Sequence, residues 1–517
     1  MQVFKKICAL ALAGLLIGCR STSVTTDSGI YDSISDIDEA AFEAPSSFRV
    51  GVLLPLSGDA ARYGQGLKQA ALMALEDMNN PNLILQFYDT MSTPEGAQEA
   101  AENALKQKAQ MIIGPLTGTS VRAISDETKA GGVPVVAFST DSGALQNSVY
   151  TLGLLVEEQV NRIIAYAAGR GRRSFALLVP DNSTGIAAAR AAVKATAGSE
   201  ARVVKIAFYP PKSTDFSEII RQLSDYDRRT GGTNREKNRL KALAAKGDAE
   251  AARALKKLAA KGAEESVDFD AVLIPESGAR LKSAAAMFGY YDVFSPQVKF
   301  LGTSVWENTR LNRESTLIGS WYPAMSRTHN AYFNKKYHAL FNEYPQSLYA
   351  FAYDAVALAS ALARNNPADI DAAITTGDGF VGISGMFRIL PDGKNEHSLD
   401  IIEVTRSGDV VVDPAAKKFS AALPENSPES AAQAYDAVPP MIFGKDKSEA
   451  ERLIFGRTLA GNYDYGASGA RVVIEEFLTG PAGLLPSGQR RRIRFFVLIM
   501  LMKHFLLASR TEIDDSN

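Results

Sequence analysis

The chain is poor in the residues on which soft-metal and nucleophilic chemistry depends. It has two cysteines, Cys8 and Cys19, and four scattered histidines, His329, His338, His397 and His504. That excludes a disulfide scaffold and leaves no spacing for a zinc site or a Cys–His pair. Neither sign of charge dominates, with 56 Lys and Arg against 58 Asp and Glu. No global field therefore draws in a polyanion, and no nucleic-acid partner is expected. No apolar run is long enough to span a bilayer as a helix. The His-Glu-x-x-His, Gly-x-Ser-x-Gly and Gly-Lys-Ser/Thr motifs are absent. Gly64-Gln65-Gly66 opens a helix but lacks the third glycine of a dinucleotide fingerprint. The expectation is a non-enzymatic chain with no metal and no cofactor.

The two ends differ from the middle. Residues 1–19 place Lys5 and Lys6 before an apolar run from Ile7 to Ile17, the pattern of an export signal. Its end, Leu16-Ile17-Gly18-Cys19, resembles the lipobox of bacterial lipoproteins, which implies acylation at Cys19 and a membrane contact through that lipid. Cys8 then leaves with the signal, and the mature chain keeps no free thiol. Arg20 stands where Asp would imply inner-membrane retention, so the resemblance favours a periplasm-facing lipoprotein of the outer membrane. Residues 20–47 are rich in Ser, Thr, Asp and Glu without an apolar period and read as a tether of roughly 30 Å mean reach. At the far end, residues 490–517 join Arg490, Arg491, Arg492 and Arg494 to an apolar run broken by Lys503-His504. This tail reads equally as an interfacial basic segment or as an extension foreign to the native reading frame.

From Phe48 the pattern becomes strand, loop, helix. Near-continuous apolar runs at Arg49–Leu54, Leu83–Tyr88, Ala109–Ile113 and Val133–Phe138 alternate with helical periods at Gly66–Met78, Pro94–Lys108 and Thr119–Ala130. A second series follows from about Val149. Strands covered on both faces mean parallel sheets, and two series mean two doubly wound α/β lobes. The expected division is lobe one at 48–148 and 325–378, and lobe two at 149–324 and 379–413. A helical insertion at 225–266 carries Leu240-Lys-Ala-Leu-Ala-Ala-Lys-Gly247, which recurs as Leu255-Lys-Lys-Leu-Ala-Ala-Lys-Gly262. Arg327–Arg364 reads as one long helical stretch. Gly385–Leu390 and Leu399–Val404 read as a hairpin about Pro391-Asp392-Gly393, and 414–489 stays unassigned.

Over 48–413 the chain resembles a type I periplasmic binding protein of the leucine-binding, branched-chain amino acid family. The residues that carry this are Gly51-Val-Leu-Leu-Pro-Leu-Ser-Gly58 with Tyr63-Gly64-Gln-Gly66, Ile113-Gly-Pro115 with Thr119-Ser120, and Val133-Pro-Val-Val-Ala-Phe-Ser-Thr140. Ser213-Thr-Asp-Phe-Ser217, Tyr349-Ala-Phe-Ala-Tyr-Asp-Ala-Val356 and the Gly385 segment complete the series. The resemblance implies two lobes joined by a hinge, with a small amino acid or carboxylate held between them at the C-terminal ends of strands. It points to Ser57, Thr119, Ser120, Ser139 and Thr140 on lobe one, each of which reads equally as a cap or turn hydroxyl.

On lobe two, Asp181-Asn-Ser-Thr-Gly185 lacks the tyrosine of the family's Asp-x-x-Tyr-Gly turn. The acidic anchor for an amino group is missing where the chain reads Gly302-Thr-Ser-Val-Trp306. Asp181, Glu276 and Trp306 are the candidate contacts there, Glu276 standing in for the anchor or lying on the surface. These departures also resemble the lipoprotein activators of penicillin-binding proteins, whose partner is a peptidoglycan synthase. That reading is preferred over a binding lipoprotein that feeds an ABC permease.

Overall fold

The computed structural model describes residues 47–457 apart from 141, 146–147, 260–264, 308 and 420–438. The signal, Cys19, nearly all of the tether and the basic tail lie outside the described residues.

The first lobe is built from β1 (Phe48–Leu54), α1 (Ala61–Met78), β2 (Leu83–Asp89), α2 (Pro94–Lys106), β3 (Met111–Ile113), α3 (Gly118–Ala130), β4 (Val135–Ala137) and β5 (Val149–Thr151). The strands form a parallel sheet in the order β2-β1-β3-β4-β5. Val50, Val52 and Leu54 of β1 enter one core and Leu53 the core on the opposite face. This double burial is why the strands read as unbroken apolar runs.

The chain then crosses to the second lobe, which begins with α4 (Val156–Gly169), β6 (Ser174–Pro180), α5 (Ser183–Thr196), β7 (Arg202–Tyr209) and α6 (Ser217–Leu223). The helical hairpin α7 (Tyr226–Ala244) and α8 (Ala249–Ala259) follows, then β8 (Ala271–Leu273), α9 (Gly278–Tyr290), β9 (Lys299–Leu301) and β10 (Trp321–Met325). A return through α10 (Arg327–Phe341), α11 (Tyr349–Asn365) and α12 (Ile370–Ile374) covers the first sheet. A small sheet of β11 (Phe380–Gly382), β12 (Gly385–Ile389) and β13 (Asn395–His397) precedes β14 (Leu399–Thr405) and β15 (Gly408–Asp413). The last described elements are β16 (Met441–Phe443) and α13 (Lys447–Phe455). The second sheet has eight strands in the order β15-β14-β10-β9-β8-β6-β7-β16.

Three expectations are corrected. The stretch from Arg327 to Arg364 is two helices, because Asn342 takes a left-handed conformation (φ 55°) and Pro345 follows. The Gly385 strand pairs with Asn395–His397, while Leu399–Thr405 joins β10 and β15 in the second sheet. Phe387 and Ile389, expected in lobe two, enter the first lobe's core. In addition, the unassigned region supplies β16, which pairs in parallel with β7, and α13, whose Ala450, Ile454 and Phe455 complete the second lobe's core.

Packing also explains the Gly64-Gln65-Gly66 motif. A Cβ on Gly64 would lie 2.0 Å from the Pro55 carbonyl oxygen, and one on Gly66 would lie 2.0 Å from the Tyr349 ring. Both glycines let α1 close onto β1 and α11, so no phosphate need be invoked.

Three crossings connect the lobes, after β5, β10 and β13. Arg162 of α4 laces them, donating from Nε to the Leu399 carbonyl at 3.1 Å and pairing with Asp413 at 2.6 Å. Asp400 accepts the Arg327 N–H at 3.0 Å and the Ala415 N–H at 2.7 Å. Ser347, ahead of α11, donates to Glu307 of the second lobe at 2.7 Å beside a cavity of about 120 Å³. Burial raises the Glu307 carboxyl above its ordinary range.

The hairpin α7–α8 is bolted to the second lobe at its root. Arg229, 3% exposed, donates to the carbonyls of Ser224, Glu265, Tyr291 and Asp292 at 2.9–3.2 Å. Lys205, with its side chain fully buried, pairs with Asp225 and Asp268 at 2.7 Å each. Substituting Lys205→Met strips Asp268 of its counter-charge and leaves Asp225 only the longer contact to Arg228 at 3.6 Å. The expected loss is about 2–3 kcal/mol in denaturant unfolding, since breaking one side of a buried pair costs more than the pair itself contributes.

Candidate functional site

A doubly wound sheet gathers its loops at the C-terminal ends of its strands, and helix N-termini there point free N–H groups at the same rim. On the first lobe the rim is shaped by Asp89, which ends β2. Its Oδ1 accepts the N–H groups of Leu56 at 2.9 Å, Ser57 at 3.1 Å and Met91 at 2.8 Å, folding the loop after β1. Partial burial pushes its carboxyl up, but hydrogen bonds from Ser57, Met91 and Leu56 together outweigh this and hold it below the usual range. Ser57 is exposed, and its carbonyl accepts the Ser92 hydroxyl at 2.7 Å.

Next along the rim, Thr117 is the N-cap of α3. Its Oγ1 accepts the Ser120 N–H at 3.3 Å and lies 2.9 Å from the Ser120 hydroxyl. Ser120 is buried within this cap, whereas Thr119 is exposed, 3.1 Å from Thr117. Sequence reasoning chose Ser120 and Thr119 and missed Thr117, although a Thr immediately before the first helical residue is a cap signal. After β4, Ser139 is buried and its carbonyl accepts the Thr151 hydroxyl, while Thr140 is exposed. The exposed candidates on this rim are therefore Ser57, Thr119 and Thr140.

The second rim carries charge, and most of it is engaged. Asp181 follows β6 and pairs with Lys445 of the β16–α13 connection at 3.0 Å. Lys445 also pairs with Glu449 at 3.0 Å, and its bonds to Glu449 and Asp181 raise its pKa above the usual lysine value. Asn182 caps α5 through the Gly185 N–H at 3.0 Å, and a Cβ on Gly185 would lie 1.8 Å from the Pro180 carbonyl oxygen. Glu276 accepts the Tyr209 hydroxyl at 2.9 Å and pairs with Arg280 at 3.0 Å. Arg280 lies over the Tyr209 ring, 5.5 Å from its centroid, and its buried Nε meets no acceptor among the described residues.

Trp306, a predicted contact, belongs to the core. It is 0% exposed, its indole N–H donates to the Ile274 carbonyl at 3.0 Å, and its ring lies against Gly302. Among the sequence candidates the structure thus groups Ser57, Thr119, Ser120, Ser139 and Thr140 on the first rim, and Asp181 and Glu276 on the second. Trp306 lies beneath the second sheet. Lys445, Arg280, Tyr209 and Asp89 went unread: Lys445 finds its partner 264 residues away, Tyr209 and Asp89 theirs in other loops, while Arg280 stands only four residues from Glu276.

A groove of about 810 Å³ lies at the opposite, N-terminal ends of β6, β8 and β9. Its carboxylates are spent on the fold. Asp270 accepts the N–H groups of Arg173 and Ser174, Asp268 pairs with Lys205, and Glu265 pairs with Arg228. Among the described residues no His, Cys, Asp and Glu cluster has the makings of a metal site, and no helix is long and apolar enough to cross a membrane.

Two lobes on mainly parallel sheets, three crossings and loop rims at the strand ends define a bilobal binding protein of the type I periplasmic class. The chain belongs to the periplasmic binding protein family, whose model matches residues 47–409. Its structure is similar to an ABC transporter substrate-binding protein from Sphaerobacter thermophilus, with a TM-score of 0.55 and 15% identity over 72% of this chain and 99% of that one. A solute-binding protein of Rhodopseudomonas palustris BisB5 in complex with 3,4-dihydroxybenzoic acid gives a TM-score of 0.52 at 16% identity, covering 73% and 98% of the two chains. A branched-chain amino acid ABC transporter ligand-binding protein of Burkholderia xenovorans LB400 gives 0.52 at 14% identity, covering 74% and 96%. Among curated proteins, the Leu/Ile/Val-binding protein BraC3 of Rhizobium johnstonii is 25% identical over 99 residues, 18% of this chain and 27% of its own length. An uncharacterized protein of Rickettsia prowazekii is 24% identical over 131 residues, 25% of this chain and 35% of its own length. The match spans about a third of these curated relatives. The family is one of periplasmic binding proteins.

Proposed function

We propose that this chain is a non-enzymatic envelope lipoprotein, held by an acylated Cys19 with the outer membrane favoured, that activates a peptidoglycan synthase of the penicillin-binding class through its outer surface. The observation that carries this reading is the state of the second rim. Its two candidate anchors for an ammonium group, Asp181 and Glu276, are already neutralised by Lys445 and Arg280 of the same chain. An amino acid's ammonium taken into a closed cleft without a free counter-charge pays several kcal/mol of desolvation, which weakens any transport role for free leucine, isoleucine or valine.

A second reading has its own support. The exposed hydroxyls of Thr119 and Thr140, the N-terminus of α3 and the Nε of Arg280 are all donors suited to a carboxylate. That favours a small carboxylate over an amino acid as cargo for an ABC permease, as in the relative that holds 3,4-dihydroxybenzoic acid.

Equilibrium binding with a panel of branched-chain amino acids and aromatic carboxylates separates the two. The activator reading expects no ligand at micromolar concentration and capture of a peptidoglycan synthase from envelope extract. Micromolar binding of a carboxylate with a raised melting temperature replaces it with the transport reading. For the anchor, Cys19→Ser is expected to release the protein into the soluble periplasm, and continued membrane association overturns that part alone.

A further inference from the structure

The α7–α8 hairpin stands apart from the rest of the chain in charge. From Tyr226 to Ala259 it holds ten Lys and Arg against four Asp and Glu, while the other 483 residues hold 46 basic against 54 acidic side chains. Half of the excess lies at the distal end, where residues 241–259 hold five basic against two acidic side chains. Lys241, Lys246, Arg253, Lys256 and Lys257 are all exposed and make no ion pair or hydrogen bond through their side chains among the described residues. At 1.5 Å rise per residue they lie within about 15 Å of the turn at Gly247. The acidic residues nearby are partly engaged: Glu236 pairs with Arg239, and Asp248 caps α8 through the N–H groups of Glu250 and Ala251.

The chemistry of this surface narrows its partner. No exposed large apolar residue lies on the hairpin; the exposed ones are elsewhere, as at Tyr63, Tyr290 and Phe294. Protein–protein interfaces centre on aromatic and Arg anchors and are depleted in Lys and Ala. Here four of the five free cations are Lys on an Ala-rich scaffold, point charges that read charge density without fixed geometry. A dense, fluid anionic surface meets that description. The net negative remainder of the chain would be repelled by the same surface, so the hairpin tip would orient the molecule. The root, bolted by Arg229 and Lys205, transmits that orientation to the second lobe.

We propose that the distal end of the α7–α8 hairpin, through Lys241, Lys246, Arg253, Lys256 and Lys257, docks electrostatically on an anionic phospholipid surface. The contact goes beyond the anchor and activator readings and is independent of both, because it is tested on a chain that carries no lipid.

The test is sedimentation of the full chain bearing Cys19→Ser with vesicles of phosphatidylcholine alone or mixed with phosphatidylglycerol. The parent is expected to bind the anionic vesicles at low salt and to lose binding as ionic strength rises. The chain with all five cations changed to Gln is expected to bind roughly tenfold more weakly or worse, with an unchanged melting temperature. The basic tail at 490–494 is present in both chains, so only their difference is read. Equal binding of anionic vesicles by parent and variant overturns the proposal. So does binding of poly-glutamate by the parent without binding of vesicles, which assigns the tip to an acidic protein. If the five-site variant fails to fold, Lys256→Gln with Lys257→Gln on the exposed face of α8 gives a smaller loss of the same kind.

Discussion

Replacing Trp306 with alanine is expected to lower unfolding free energy by about 4 kcal/mol, the cost of emptying a large aromatic site in a packed core. The side chain is fully enclosed, its N–H is satisfied by the Ile274 carbonyl, and its ring occupies the space that a Cβ on Gly302 would need. Alanine removes the ring and leaves the Ile274 carbonyl without that donor. Denaturant titration measures the loss. Ligand or partner binding, assayed where the variant is still folded, should stay at the parent level. Near-parent stability combined with lost binding would return Trp306 to the cleft.

The same residue shows where sequence legibility ends. Gly302-Thr-Ser-Val-Trp306 follows a strand at the position where the family presents ligand contacts, so its place along the chain was legible. Which way the indole points depends on Gly302 and on the β8 backbone, neither of which a periodicity can weigh. The strands of the first lobe were legible because both faces are buried. By contrast β10, Trp321–Met325, contains Pro323 and lies between a parallel and an antiparallel neighbour, and it gave no such signal. Helix α9 was also unread. Strand β16 has three residues, and only its pairing with β7 makes it a strand.

The candidate site divides along the same line. Hydroxyls at strand ends are visible in sequence, since Ser and Thr after an apolar run mark a loop or a cap. Their engagement is a tertiary fact: Ser120 is buried in the α3 cap, and Thr119, one position earlier, touches the same cap residue but stays exposed. The charge state of the second rim was the least legible feature. Asp181 looks available until Lys445 arrives from a segment that carries no family motif. The functional argument therefore turns on a contact that only the folded chain makes.

A second large effect is expected from the third crossing, where pH acts on two coupled groups. His397 of β13 is buried between the Phe351 and Phe387 rings, and its Nδ1 lies 2.7 Å from the Asn395 amide nitrogen. Burial lowers its pKa from 6.5 to about 3. Glu158, at the start of α4, accepts the His397 backbone N–H, and its Oε2 lies 3.8 Å from Nδ1. Burial first, then the charges of Glu396 and Glu157, push the Glu158 carboxyl well above 4.5. Burial thus favours the neutral form of both groups in the fold. For His397 the unfolded chain binds the extra proton between pH 6.5 and about 3, so its contribution to stability falls as pH falls through that window. For Glu158 the folded chain holds the extra proton above pH 4.5, so its contribution rises as pH falls toward 4.5. Above pH 4.5 the two slopes oppose one another, so in the parent each offsets part of the other's effect. Glu158→Gln removes one slope and leaves the other. The variant is expected to lose stability steadily below pH 6.5, at up to about 1.4 kcal/mol per pH unit and about 4 kcal/mol in all by pH 3. His397→Gln is expected to do the reverse and gain stability on acidification toward pH 4.5. Denaturant midpoints from pH 7 to pH 3.5 for the three chains decide it, and parallel profiles for parent and Glu158→Gln would remove the coupling. These residues join α4 to the β13–β14 crossing, so the proton balance acts at a connection between the lobes.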